Sequence, residues 1–538
     1  MTRRSLRVTT GNRARRWAAV LVTGLMITAG LAGRAHAQIP IDTVGFRPPE
    51  TIEPPLEVRD NAIQLSLDDA IELALRRNLN LVVERYIRRQ SELGIEQTLG
   101  LYDLLSTASV SATRAQTLGG AGQTLETDTR RGNANLTQRL PIGGDLTFGM
   151  SANRLSSADP RNPGEPSGYN SGFTFSYDQP LLRNFGRLPN ERNILLAQID
   201  NRVGREAFEV QVAATIEQVG DAYWALVEAY EQLGVAQESL SLARELHERN
   251  RIQVEVGTLA PLELVQSEAA IAERDEAIIR AQATIGDSAD TLRQLLNLPQ
   301  GDLWQTEIRP TTEPVTERVP INVDEAIRTA LAERPEVRRQ QLFLERNQLD
   351  VRYFRNQLLP RLDLALDYNL NGIQALDISE AFGQLTGFDY PGWTTQIIFA
   401  YPLQNRTARA QKAIADIDVE RAVLELSDIE NVVTTEVRQA ARRVDTAAKQ
   451  IDAARASRQF QDRNLDAEKK RYENGMSTSF QITQIQEDLT LARSREVTAT
   501  IAYRTALTEF YRVTGRLLEQ ENVQLSDPEK PIERFTLW

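Results

Sequence analysis

Carboxylates are the commonest groups in this sequence that could do chemistry, as paired general acid and base. There are 74 Asp and Glu residues among 538. Their number and spacing fit solvated helix faces, the usual place for such side chains. The other reactive types are nearly missing. The chain has no cysteine and two histidines, His36 and His247. A thiol nucleophile, a cysteine zinc site, an iron–sulfur cluster and a disulfide framework are therefore excluded. A histidine metal cluster is excluded too, since His36 lies in an N-terminal segment expected to be removed and His247 alone cannot supply two ligands. No P-loop, G-x-S-x-G elbow or dinucleotide fingerprint is present. No catalytic residue, cofactor or metal is expected, and the elements themselves must carry the function.

The N-terminus addresses the chain to the envelope. A basic stretch, Met1 to Arg16, precedes an apolar run from Trp17 to Ala32, and Ala35-His36-Ala37 closes it. This pattern predicts a secretory signal peptide over 1–37, cut before Gln38. A membrane anchor is the competing reading. Thr23, Gly24, Thr28 and Gly30 interrupt the run, which falls short of the ~20 residues of a spanning helix. The segment holds seven Arg and no acid. Its removal leaves 55 of 62 basic residues against 74 acidic ones, a formal charge of −19. That balance disfavours a nucleic-acid partner, which rewards a basic face. No later stretch reaches 18 consecutive apolar residues, so any membrane crossing is expected from strands.

The sequence repeats itself. "LSLDDAIELALRRNLNL" from Leu65 matches "INVDEAIRTALAERPEV" from Ile321 at an offset of 256. Each opens with a capping-box pattern, Ser66-x-x-Asp69 and Asn322-x-x-Glu325. "QPLLRNFGR" from Gln179 echoes "YPLQNRTAR" from Tyr401. Two further motifs, "QVEVGTLAPLELVQ" and "RYENGMSTSFQITQIQ", align Gly257 with Gly475 at an offset of 218. The first copy thus carries about 38 extra residues, most of them before Pro180.

Each half follows one plan: a helix of about 35 residues, an alternating segment, then a very long helical hairpin. Period-two alternation predicts strands in "STASVSATRAQ", "NANLTQRL", "DLTFGMSANRL" and "SGFTFSYDQ" of the first half. In the second half it predicts them in "RLDLALDYNL" and "WTTQIIFAY". "PIGGD" reads as a tight turn, and Gly119–Gly122 and "SSADPRNPGEPSG" as loops. The surplus "NANLTQRLPIGGDLTFGMSANRL" reads as an added hairpin that either enlarges a loop or adds strands. No proline lies between Pro189 and Pro261, and Val212, Ile216, Val219, Tyr223, Leu226, Tyr230 and Leu233 recur at helical spacing. Such an arm reaches roughly 100 Å at 1.5 Å per residue.

Taken together these features resemble the TolC-type outer-membrane efflux proteins. The resemblance rests on the two halves, the "LSLDDAIELALRRNLNL" opener, the "LLPRLDLALDY" step into strands, the "YPLQN" step out of them and the glycine-containing tips. It covers roughly residues 63–518. It implies a mainly α fold with a membrane β part, built as two homologous halves in which strands and a long helical hairpin follow a helix. A homotrimer would close one outer-membrane β-barrel, continued by a periplasmic α-helical barrel. The implied function is the exit duct for efflux or type I protein export. Implied partners are a periplasmic adaptor (membrane fusion) protein, an inner-membrane transporter and outer-membrane lipid.

The resemblance also assigns residues. Val256, Gly257, Thr258, Asn474, Gly475 and Met476 would form the tips that dock the adaptor. Glu263, Gln481, Gln484 and Tyr472 would line or close the periplasmic aperture. The family's acidic positions six and nine residues after the second tip are glutamines here, Gln481 and Gln484, whereas Glu263 keeps an acid in the first half. Ser477 stands where an arginine is expected. The expected layout is signal peptide 1–37, proline-rich segment 38–62, first repeat 63–300, linker 301–318, second repeat 319–518 and tail 519–538, ending in Trp538. The competing reading of another class is a periplasm-spanning coiled-coil stalk or tether without a pore.

Overall fold

The computed structural model describes residues 58–59, 62–118, 124–158, 168–314 and 316–523. The signal peptide, most of the proline-rich segment, the end of the tail and the two loops at 119–123 and 159–167 lie outside them. The first repeat runs β1 (Val58–Arg59), β2 (Ala62–Leu65), α1 (Leu67–Arg77), α2 (Leu79–Leu99), β3 (Leu105–Leu118), β4 (Thr124–Arg139), β5 (Asp145–Ala158), β6 (Gly168–Pro180), α3 (Arg187–Glu255) and α4 (Leu262–Leu296). A link of α5 (Asp302–Gln305) and β7 (Glu307–Pro310) follows. The second repeat runs α6 (Val323–Glu333), α7 (Pro335–Gln357), β8 (Arg361–Ala375), α8 (Ile378–Gly387), β9 (Tyr390–Ala400), α9 (Arg406–Glu473) and α10 (Ser479–Val513), with α11 (Leu517–Gln520) after it. The duplication is visible in lengths: α3 and α9 have 69 and 68 residues, and α4 and α10 have 35 each.

The single opening helix expected in each half is two helices. Ser66 and Asn322 cap the starts as their pattern predicts, accepting from the amides of Asp69 (3.1 Å) and Glu325 (3.3 Å). The first helix of each pair then stops after 11 residues, at Asn78 and at Arg334. Pro335 explains the second break, because proline pushes the residue before it out of helical geometry. Asn78 explains the first. Its side-chain oxygen accepts from the amides of Asn80 (3.0 Å) and Leu81 (3.3 Å), so it caps α2.

One compact unit comprises Glu92–Ile199 and Glu345–Glu420. Its core is a six-stranded antiparallel sheet in the order β3-β4-β5-β6-β8-β9. The added hairpin, β4 and β5, is part of that sheet. Directly paired residues share a face, and the two faces differ sharply. One carries Phe148 opposite Phe175, Met150 opposite Phe173, Tyr177 opposite Leu366, Tyr368 opposite Trp393 and Leu362 opposite Phe399. Trp393 on this face is 77% exposed. The other face carries Thr137 opposite Thr147, Asn133 opposite Ser151, and Ser176, whose hydroxyl donates to Asp367 at 2.6 Å. An exposed apolar face backed by a polar one is the pattern of a membrane barrel wall. Helix α8 folds back onto the sheet, where Ser171 donates to the Ala381 carbonyl at 2.7 Å.

The second unit comprises, among the described residues, 58–91, Asp200–Leu344 and those from Arg421 on. Each repeat has its own core there. Ile71, Val219, Tyr223, Trp224, Leu226, Leu292 and Leu296 fill the first, beside the three-stranded sheet β1-β2-β7. Val337, Val433, Val437, Val444, Tyr503, Leu507 and Phe510 fill the second. Small residues such as Ala440, Ala441 and Ala447 are buried within the second core. Each core has a tyrosine tying down an extended segment: Tyr223 donates to the Leu65 carbonyl (3.1 Å) and Tyr503 to that of Glu317 (2.8 Å). No helix among the described residues is long and apolar enough to cross a membrane.

Candidate docking tips and periplasmic aperture

The tips are two helix reversals built alike. At the end of α3 the amide of Thr258 bonds the Gln253 carbonyl (2.9 Å) and that of Gly257 bonds Val254 (3.0 Å). At the end of α9 the amide of Met476 bonds Arg471 (2.9 Å) and that of Gly475 bonds Tyr472 (2.9 Å). This is a Schellman ending, which places one residue in the left-handed region. Gly257 holds φ +78° and Gly475 φ +69°, so glycine is needed for its backbone freedom. A Cβ would meet nothing at either position, so sterics with neighbours play no part. Val256 and Met476 project from the tips, 68% and 62% exposed, and Thr258 and Asn474 are exposed beside them.

The helices after the tips start differently. Thr478 caps α10 and Gln481 returns the bond, a complete capping box. Gln481 thus serves the local structure, and its Oε1 also accepts from Ser477 Oγ at 2.9 Å. On the first tip Pro261 precedes α4 without a side-chain cap.

Behind the tips the two hairpins meet through a buried polar network. Tyr472 is buried, and its hydroxyl lies 2.7 Å from Asn250 Oδ1 and 2.9 Å from Gln253 Oε1. Asn250, fully buried, donates to Ser479 Oγ at 2.8 Å. Glu468, also buried, takes Arg471 (3.1 Å) and the Ser477 hydroxyl. Arg249 spans the two long helices, reaching Glu245 (2.6 Å) on its own and Glu473 (3.1 Å) on the other. Leu246, Leu465, Ile482 and Leu489 form an apolar cluster below.

The expected aperture residues separate. Gln481 and Gln484 are exposed on α10. Glu263 is half-buried, and its Oε2 is enclosed without a hydrogen-bond partner. It faces Tyr472 electrically: burial first, and the Glu263 charge second, hold the Tyr472 phenol above its ordinary range, against the pull of Arg249. Asn250, Gln253, Ser479 and Glu468 were not among the residues expected from sequence. A signal for two of them exists, since Asn250 and Glu468 stand at equivalent places, seven residues before Gly257 and Gly475. Among the described residues no cluster of His, Asp or Glu could hold a metal ion.

Comparison with known proteins bears on the family and the fold. The model of the family described as "Outer membrane efflux protein" matches residues 123–298 and 326–516. The pyoverdine export outer membrane protein OpmQ of Pseudomonas putida is 22% identical over 391 residues, covering 70% of this chain and 78% of its own. The Campylobacter jejuni CmeC outer membrane channel superposes with a TM-score of 0.62 at 16% identity, covering 86% of this chain and 90% of that one. The open state of the Neisseria gonorrhoeae MtrE outer membrane channel gives 0.59 at 16% identity, covering 85% and 91%. The two matched segments fall on the two repeats and span more than half the chain, so this protein belongs to the outer membrane efflux protein family, as an efflux transport protein of the cell outer membrane that extends into the periplasm.

Proposed function

We propose that three copies of this chain form one outer-membrane exit duct for efflux or type I protein export, without catalytic chemistry. The observation that carries this reading is the six-stranded sheet. It has an exposed apolar face, yet β3 and β9 are its two ends and, among the described residues, have no partner on their outer sides. Open strand edges are not tolerated in lipid, and membrane barrels begin at about eight strands, so six do not close one alone. β3 and β9 run in opposite directions, so β9 of one copy meets β3 of the next as an antiparallel pair. Repetition of that contact by rotation closes a ring. An exposed apolar sheet face has no role in a stalk or tether.

The tips take the periplasmic end in this reading. Val256, Gly257 and Thr258, with Asn474, Gly475 and Met476, dock a periplasmic adaptor linked to an inner-membrane transporter. Exposed Val256 and Met476 beside a rigid turn are suited to insertion between helices of such a partner. Glu263, Gln481 and Gln484 line the aperture, and Tyr472 holds the hairpins together behind it. The test is mild cross-linking in cells with photoreactive groups at Val256 and Met476, followed by light scattering of the detergent-purified product. Capture of an adaptor on a trimer is expected. A trimer with no adaptor captured from either position removes the docking assignment, and a monomer or dimer mass removes the duct.

A further inference from the structure

The two repeats differ most in their strands. In the second, one strand rises from α7 and one returns to α9: β8 and β9. In the first, β3 rises from α2 and β6 returns to α3, with β4 and β5 between them as surplus. Residues 124–158 thus account for most of the length by which the first repeat exceeds the second. An insertion of this kind either stands aside as a flap or is spliced into the wall.

Here the splice is complete. β3 does not pair with β6; β4 and β5 separate them. β3 and β4 pair without a break from Leu105–Thr137 to Leu118–Thr124, and β4 and β5 from Glu126–Ala158 to Arg139–Asp145. Both faces continue across the insertion. Leu136, Phe148 and Phe175 lie in one row on the apolar side, and Asn133, Ser151 and Gly172 in one row on the polar side. The turn between β4 and β5 is built into the helix start. The Ile142 carbonyl accepts from Gly186 N (3.1 Å) and Gln179 Nε2 (3.3 Å). Gly143 sits at φ +93°, where a Cβ would come 2.5 Å from the Asn184 carbonyl oxygen and from Asn190 Nδ2. Adding two strands also preserves direction: with six strands, β3 and β9 still run opposite ways, whereas one added strand would make them parallel.

We propose that the β4–β5 hairpin is a circumference insertion that sets the bore of the outer-membrane exit. This rests on the threefold reading above. Six strands from each of three copies make eighteen; without the hairpin the same assembly closes twelve. With strands ~4.8 Å apart and tilted ~40°, eighteen give a barrel about 36 Å across between strand axes, and twelve about 24 Å. The wider wall admits bulkier solutes at the outer exit than the unexpanded one, while the periplasmic helices are unchanged.

Electron microscopy of the detergent-purified full chain and of a Δ124–158 variant tests this. Eighteen strands in the full chain are expected, with a barrel narrower by about a third in the deletion. A threefold particle with twelve strands and the hairpin outside the ring overturns the proposal and leaves the trimer standing. A particle of another symmetry overturns the trimer; six wall strands per subunit would still support the insertion. A deletion variant that does not fold leaves the full chain to decide, with a second readout. The chain lacks cysteine, so single thiols report cleanly. In lipid, Ser151→Cys is expected to react with a water-soluble maleimide and Met150→Cys to be shielded. Equal reaction of both places the hairpin outside the wall and refutes the insertion.

Discussion

Asn250 and Tyr472 form the polar joint between the two hairpins, and each is worth testing singly. Tyr472→Phe removes the hydroxyl from Asn250 and Gln253, leaving buried amide groups short of a partner, a loss of about 1–3 kcal/mol. Hydrogen exchange at the tips measures it. The pH dependence follows from the raised phenol. The stabilising contribution of protonated Tyr472 is fully present below the ordinary tyrosine value of 10.0 and is lost as pH rises through the higher folded value. Tip protection in the native chain is therefore expected to hold to about pH 10 and to fall above it. The Phe variant is expected to lack that alkaline step; the same step in both proteins refutes the assignment to Tyr472. Glu263, Gln481 and Gln484 make a second test. If three copies set them around the aperture as proposed, one acidic ring and two amide rings would favour cations moderately, since a confined carboxylate ring concentrates them. Gln484→Asp is expected to raise cation selectivity and Glu263→Gln to lower it, read as reversal potentials in a planar bilayer under a salt gradient. Unmoved potentials in both trimers would put the constriction elsewhere. Tyr472 was reached through the family resemblance alone, and its buried bonds to Asn250 and Gln253 were not expected. The enclosed position of the Glu263 carboxylate was not legible either, because burial is set by packing that the local pattern does not show.

At the scale of elements, the tip glycines were readable because Gly257 and Gly475 align between the two repeats at an offset of 218, each inside a similar polar break in a long helix. The structure gives each its positive φ. Proline fixes φ near −65°, so neither Gly257→Pro nor Gly475→Pro can keep the Schellman turn. Both variants are expected to assemble normally and to lose transport, with drug or protein export measured alongside trimer yield. Normal export from both would show that tip geometry is not used. The six strands of the larger sheet were each touched by the alternation. Yet β4 begins at Thr124, well before the alternating "NANLTQRL", whose pattern starts late because Glu126, Asp128 and Arg130 break the apolar face there. The short β1, β2 and β7 were not read from sequence. Two further features were not legible. Whether β4 and β5 join the sheet is a matter of long-range pairing, invisible to local pattern. The helix break at Asn78 turns on a side chain capping the segment after it, in a stretch whose apolar spacing continues unbroken.

The whole molecule was legible through its duplication, because two copies of one plan constrain each other: cap against cap, tip against tip, long helix against long helix. What duplication could not supply is the difference between the copies, which lies in the strands. Those strands carry a consequence for how the protein is made. The free sides of β3 and β9 are complementary in direction, so the contact that closes a ring of subunits can equally extend an open ribbon. Ring closure is an event within one oligomer, independent of how many free subunits surround it. Ribbon growth needs another arrival and speeds up with concentration. Assembly is thus a kinetic race, won by closure when newly delivered subunits are scarce. Refolding into detergent micelles is expected to give closed oligomers at low protein concentration and a rising ladder of larger species as it increases; a product distribution independent of concentration would refute the race. A cell that produces this protein faster than its envelope inserts it then loses function by polymerisation, with every subunit correctly folded.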